Sequence, residues 1–451
     1  MPLTIVGIIS LPVVYLIQKR PHLGAYLVVL AICFPIRELI THPRAYLITD
    51  FVILLVAVLV LGPRLIKRPL IFDKTAKLIF LFVVANFLGL IITASGGIHR
   101  EFITVGYIYT RVVQVLILYL IGFYALSAAS TVKVLYRMMI GIGILAGTYF
   151  LAEYVLVMGL ISATDMEART LYDAYYNTLD TELNEGSIAL GGWIGGPNGR
   201  ARFALILAAF IVGYGLSLRS LRSRVSPFIA VGILGASVII QLSRSTMIVL
   251  LAVGMVYVLR QPKLKWSGLA RITTVLAGLL IFTMSLLSNP GTQSKIEDFN
   301  LSANPISKRT DLVVESLQAT ADTWFIGKGF NRHMSNTGGF EGYPTLERGV
   351  GTHNLYLETL LDSGIIGLGF LIAILISVIH MGMALEKSPY TGSAALGTGV
   401  YLMMIAAALS FLAGHGMIKN ISPLGILWIL AGAAARRFYD EKRINRLFVA
   451  T

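Results

Sequence analysis

The amino-acid sequence predicts an all-α fold, a polytopic transmembrane helical bundle, and three observations lead there. Hydrophobic residues fill 56% of the 451 positions and charged residues only 13%, with a mean hydropathy of +0.77, far from the balance of a soluble domain. Apolar runs of roughly 17 to 25 residues recur from end to end, each long enough to cross about 30 Å of hydrocarbon as a helix. Strand-like alternation separated by turns is missing, which argues against a β-barrel.

About thirteen spans are expected, near residues 3–17, 23–40, 46–62, 75–94, 103–127, 133–160, 201–218, 226–243, 245–260, 270–288, 354–383, 393–415 and 421–436. The links between them set the topology. Arg64, Lys67 and Arg68 follow the run at 46–62, Arg219, Arg222 and Arg224 follow 201–218, and Arg260, Lys263 and Lys265 follow 245–260. The tail after the last run holds Arg436, Arg437, Lys442, Arg443 and Arg446. Basic residues gathered in short links mark the cytoplasmic side. They also account for much of the net charge of +14, and nucleic acid is discarded as a partner.

By alternation, the two long interruptions, 161–200 and 289–353, fall together on the outer side, which the resemblance given below makes periplasmic. No internal repeat divides the chain, so residues 1–451 are read as a single integral membrane domain with these two periplasmic segments, the second the larger. The first apolar run lacks a basic n-region and a clear small-residue cleavage site, and is not read as a cleaved signal peptide. Cys33, the one cysteine, lies in an apolar run, so neither an intrachain disulfide nor a cysteine zinc site is expected.

Within the second periplasmic segment, SKRTDLVVESLQATADTW puts Val313, Leu317, Thr320 and Trp324 on one face at helical spacing, with Arg309 one turn before Val313. A short amphipathic helix at the membrane surface is expected there. The glycine- and asparagine-rich stretches GKGFNRH and NTGGFEGYP that follow read as loop.

Polar groups interrupt the apolar pattern in three places. His353, Asn354, Glu358 and Asp362 crowd the start of the span that runs on through Gly364 and Gly367. Asn354 and Glu358 share a face at i,i+4, as do His353 and Tyr356 at i,i+3. This crown reads either as an interfacial cap or as a functional cluster. Next, Ser243 to Thr246 separates two apolar runs with almost no link, which holds Arg244 at the outer boundary. It reads as a snorkelling anchor or as a fixed grip on an anion. Finally, Gly191 to Phe203 places Pro197, Asn198, Arg200 and Arg202 at the entry to a span. Turn chemistry explains the proline and glycines, but cations at a helix N-terminus are disfavoured unless an anion binds there.

His99, Arg100, Glu101 and Glu153 form a second tier, together with Arg111, which lies inside its span and needs an anionic partner or a polar cavity. The leading groups are mostly basic, face one side and include an imidazole. That suits an anionic, membrane-borne substrate bearing a phosphate or diphosphate, which arginine forks bind in bidentate fashion.

Taken in order, Gly196-Pro197-Asn198, Ser243-Arg244, Arg309 with Gly327-Lys328-Gly329-Phe330, and His353-Asn354 followed by Gly364 and Gly367 resemble the bacterial O-antigen ligase and O-antigen polymerase superfamily. The resemblance implies a bundle similar to the glycosyltransferase-C type, in the bacterial inner membrane, with its active site at the periplasmic face. It implies a glycan donor linked to undecaprenyl diphosphate and a glycan or glycolipid acceptor: lipid A core in ligases, another lipid-linked repeat unit in polymerases. By motif, catalytic roles carry over to His353, Arg309 and Arg244. Arg200, Asn198, Asn354, Arg111 and Glu358 are added as substrate-binding candidates.

The periplasmic segments hold no convincing Asp-x-Asp pair, so no metal site and no cofactor are expected. Arginines would stabilise the leaving diphosphate in a metal's place. Capsule or exopolysaccharide polymerases are the near alternative. A lipid-linked oligosaccharide transporter fits less well, because its polar site would lie near the bilayer midplane between repeated halves.

Overall fold

The structure is a computed structural model of the chain, and it describes residues 12–33, 46–67, 70–95, 112–163, 197–217, 225–240, 244–260, 305–329, 354–413 and 421–449. Regular structure among the described residues is entirely helical. In chain order the helices are α1 (Pro21–Cys33), α2 (Tyr46–Lys67), α3 (Lys74–Ser95), α4 (Gln114–Ala125), α5 (Ala129–Ala163) and α6 (Pro197–Leu216). They continue with α7 (Val225–Ile240), α8 (Arg244–Arg260), α9 (Pro305–Thr320), α10 (Leu355–Glu386), α11 (Thr391–Ser410) and α12 (Ile421–Val449).

Each expected span from 23–40 onward meets one of these helices, except 270–288, which lies outside the described residues, as do residues 3–11. Among the described residues, four helical stretches are long and apolar enough to cross a membrane: Thr49–Lys67, Ala129–Ala152, Leu355–Glu386 and Thr391–Ser410. Pro21–Cys33, Gln114–Ala125 and Val225–Val238 are shorter apolar helices beside them. The chain is a polytopic helical membrane protein.

Helix starts are set locally. Asp73 caps α3: its carboxylate accepts from the backbone N–H groups of Ala76 (3.0 Å) and Thr75 (3.4 Å), and Tyr119 of α4 donates its hydroxyl to the same group at 2.9 Å. One acidic side chain thus satisfies orphan amides and ties two helices together.

Between helices, close approach rests on small residues, because lipid provides no hydrophobic drive for helix association. Helices α4 and α12 run parallel, with Gly122 against the Ile429 carbonyl and Gly432 against the Tyr119 carbonyl. Helices α6 and α11 run antiparallel, and a Cβ on Gly213 would lie 2.7 Å from the Thr398 carbonyl oxygen. Helices α3 and α10 are also antiparallel. Thr75 and Ser377 pair at 2.8 Å near one end, while Ser363 donates to Asn86 at 3.0 Å toward the other.

The two ends of the bundle differ in character. At one end Arg64 donates to the Tyr124 carbonyl (3.3 Å) and lies 4.9 Å from that ring's centroid, while Arg436 lies over Phe123 and pairs with Asp440 at 2.9 Å. Basic groups gather there. At the opposite end stand the first turns of α6, α8 and α10.

Adding a methyl group at Gly122 or Gly432 forces the α4–α12 crossing apart. Gly432→Ala is expected to cost about 1–3 kcal/mol through overpacking, read as a lower midpoint of thermal unfolding in detergent. Gly369 faces open space in α10, so Gly369→Ala leaves the midpoint unchanged or raises it.

Candidate functional site

Helix α10 organises the end opposite the basic cluster. Asn354 has extended backbone (φ −147°, ψ 113°), and its side-chain oxygen accepts from the N–H groups of Tyr356 (3.0 Å) and Leu357 (3.3 Å). It is therefore the N-cap of α10. His353 itself lies outside the described residues. Tyr356 fastens this helix start to α11 by donating its hydroxyl to the Ala408 carbonyl at 2.8 Å.

Glu358 and Asp362 follow one turn apart, 1% and 4% exposed. Both carboxylates are enclosed in the bundle rather than displayed on a polar cap, and each takes part in further polar contacts. Next to Asp362, Ser363 donates to Asn86 of α3, whose amide donates in turn to the Phe82 carbonyl at 2.8 Å. Neither Asn86 nor Ser363 figured among the sequence candidates: Asn86 is a single polar residue within an apolar run, and Ser363 stands beside the more conspicuous Asp362.

Helix α10 breaks at Gly364, where φ is 62° and ψ −162°, a backbone region open essentially to glycine alone. The break frees an amide and a carbonyl, and the segment Trp324–Lys328 takes up both. Ile365 donates its N–H to the Trp324 carbonyl (2.8 Å), and Lys328 donates its N–H to the Leu361 carbonyl (2.7 Å). Gly327, at φ 76°, makes the facing turn. A Cβ there would stand 2.7 Å from the Gly364 nitrogen, and one on Gly364 would collide with the Phe325 carbonyl group. Two motif elements that are remote in sequence, Gly-Lys-Gly and the glycine after His353-Asn354, thus interlock through their backbones.

This latch brings α9 alongside α10. Leu312 and Ala319 pack with Leu361 in a small separate core, with Ser316 and Thr320 also buried. The amphipathic reading of this helix holds for Val313, Leu317 and Trp324, which are exposed, and needs one correction: Thr320 turns inward. Arg309 lies in the first half of α9, one turn before Leu312 and Val313.

Arg200, in the first turn of α6, is 1% exposed, with its guanidinium 5.7 Å from the centroid of the Phe150 ring. It is fully enclosed at the same end as the start of α10. Asn198 belongs to the same first turn. Arg244 is the first residue of α8, and α7 ends at Ile240 just before it, as the near absence of a link predicts. Arg111 lies outside the described residues. One turn later, buried Gln114 donates to Asp50 of α2 at 2.9 Å, a membrane-level polar pair that sequence reading missed. Its one visible signal is an acid just past the first turn of an apolar span. Among the described residues, no group of three His, Cys, Asp or Glu side chains has the arrangement of a metal site.

Because the latch requires glycine on both sides, Gly364→Ala and Gly327→Ala are each expected to cost on the order of 1–3 kcal/mol. The effect should be local. Amide hydrogen exchange should quicken over residues 305–329 and near Gly364 while α4 and α12 keep their protection.

Among curated proteins none matches the chain. A protein-family model described as O-antigen ligase matches residues 229–372, from α7 to the middle of α10, a stretch that contains Arg244, Arg309, Gly327-Lys328-Gly329, His353 and Gly364. Asn198 and Arg200 fall outside it. Over residues 229–372 the chain is therefore similar to the O-antigen ligase family, the one that its motifs resemble.

Proposed function

We propose that the protein is a membrane glycosyltransferase of the O-antigen ligase type. It would transfer a glycan from undecaprenyl diphosphate to an acceptor hydroxyl at the periplasmic face of the bacterial inner membrane. The observation that carries this reading is electrostatic. Helices α6, α8 and α10 all begin at the end of the bundle away from the basic cluster. The first turns of α6 and α8 contain no acid, while Arg200 and Arg244 occupy them. A helix N-terminus already bears about half a positive charge and repels a cation. Arginines placed there are accounted for by a bound anion, and a lipid diphosphate is the anion that the family supplies.

In this mechanism the acceptor oxygen attacks the anomeric carbon of the donor from the side opposite the diphosphate. A new C–O bond forms as the bond to the diphosphate oxygen breaks. The proton lost by the acceptor hydroxyl passes to His353 acting as general base. Arg244 and Arg309 grip the diphosphate and stabilise the charge that grows on the leaving oxygen, which makes a metal unnecessary. Arg200, Asn198 and Arg111 extend the donor site. Asn354, the N-cap of α10, and Glu358 complete the substrate-binding set. The displacement inverts the anomeric centre.

A polymerase that joins lipid-linked repeat units would use the same donor grip, so the choice between the two rests with the acceptor. Gel analysis of surface glycan from a deletion strain separates them. Loss of a ligase leaves long chains on the carrier lipid, whereas loss of a polymerase leaves single repeats on the final acceptor.

His353→Ala is expected to abolish glycan transfer while the protein still inserts and keeps its unfolding midpoint, and normal product from this variant sinks the assignment. Arg244→Lys keeps the charge but loses the fork. Transfer should then fall by about 10-fold or more, the factor that corresponds to about 1.4 kcal/mol. Full activity would instead make Arg244 a membrane anchor.

A further inference from the structure

The segment that fills the break in α10 carries three consecutive large apolar side chains, Trp324, Phe325 and Ile326, and all three are exposed, at 59%, 54% and 42%. Their backbone is fixed by the Gly364 latch, so the exposure belongs to a held conformation. On one side the patch continues into the exposed face of α9, Val313, Val314 and Leu317. On the other it continues into α10, where Ile365, Ile372 and Ile376 form an exposed stripe on a membrane-spanning helix. Ile365 is the residue whose amide bonds Trp324. A lipid-facing helix surface thus runs without interruption into the loop.

The level of the loop follows from helix geometry. From Gly364 to the end of α10 at Glu386 the helix rises roughly 33 Å, close to the hydrocarbon thickness of about 30 Å. The latch therefore lies at the hydrocarbon edge, and the first turns of α10, with Glu358 and Asp362, project beyond it. We infer that Trp324, Phe325 and Ile326 are seated among the acyl chains of the leaflet at this end, as a wedge that holds the Gly-Lys-Gly turn and α9 at the headgroup level. The occupant is phospholipid hydrocarbon, because the patch is continuous with a spanning helix and Trp324, Phe325 and Ile326 are all uncharged. An aromatic belt at the membrane boundary has this composition. The inference concerns membrane contact alone and does not depend on the reaction proposed above.

Trp324 supplies its own probe. In the full-length protein carrying Trp193→Phe, Trp266→Phe and Trp428→Phe, reconstituted into phosphatidylcholine vesicles, Trp324 is the sole indole. Phospholipid brominated at a shallow acyl position is expected to quench the larger part of its emission, while aqueous iodide leaves it nearly unchanged. Iodide quenching without bromolipid quenching overturns the inference, since the loop then faces water. Emission insensitive to both quenchers also overturns it, since the patch then lies against protein. If the triple variant does not fold, the loss of bromolipid quenching on Trp324→Phe in the otherwise native chain reads the same quantity. Glycan transfer is not the readout, so either result leaves the catalytic proposal to its own test.

Discussion

The exchange of backbone hydrogen bonds at Gly364 is the interaction on which the rest of the site depends. A membrane helix normally satisfies every amide and carbonyl within itself, because lipid offers no substitute. Here α10 gives up that self-sufficiency at one residue, and Trp324–Lys328 supplies the missing partners through Ile365 and Leu361. An unpaired backbone group in this setting costs several kcal/mol, so break and loop stabilise each other and neither is expected to persist alone. As a result, a segment some forty residues earlier in the chain is held against α10 by directional bonds as well as by side-chain packing.

Around that latch the polar groups are arranged in depth. Glu358, Asp362 and Arg200 are almost completely enclosed, and enclosed charges persist only when neighbours compensate them. Ser363 and Asn86 add a neutral bond between α3 and α10 at the same level. The Asn354 cap and the anchoring of Tyr356 to Ala408 then fix where α10 starts. Of the residues read as catalytic, Arg244 is the first residue of α8 and Arg309 lies in the first half of α9. A buried polar layer of this kind holds the geometry of a helix start without leaving it to a mobile loop.

Much of the architecture was legible because hydropathy is a strong signal in membrane chains. Span positions follow from the solvation of an apolar helix, and nearly all the expected runs meet a helix. The short link before Arg244 and the helix starting at Pro197 were equally readable. What escaped were pairings that depend on three dimensions. Gly364 was read as a small residue allowing close packing, yet its role comes from φ 62°, which a sequence does not display. Asn86, Asp50 and Gln114 are single polar residues in apolar runs, Ser363 stands beside the more conspicuous Asp362, and only the neighbouring helix reveals that each has a partner. Thr320 fits the apolar face of α9 by period, but it turns inward because the helix packs on Leu361 through Leu312 and Ala319.

The same latch explains why motifs far apart in sequence read as one signature. A side chain on Gly327 would strike the Gly364 backbone, and one on Gly364 would strike the Phe325 carbonyl just before that turn, so both positions are held to glycine by sterics rather than by chemistry. The coupling reaches further along both segments: α9 leads into the Gly-Lys-Gly turn, and the Asn354 cap starts the helix that Gly364 breaks. A change that loosens the turn would shift α9 relative to the start of α10 without altering a residue of either helix. In a site where displacements of about 1 Å cost on the order of 100-fold in rate, the backbone junction constrains the chemistry as tightly as the charged groups do.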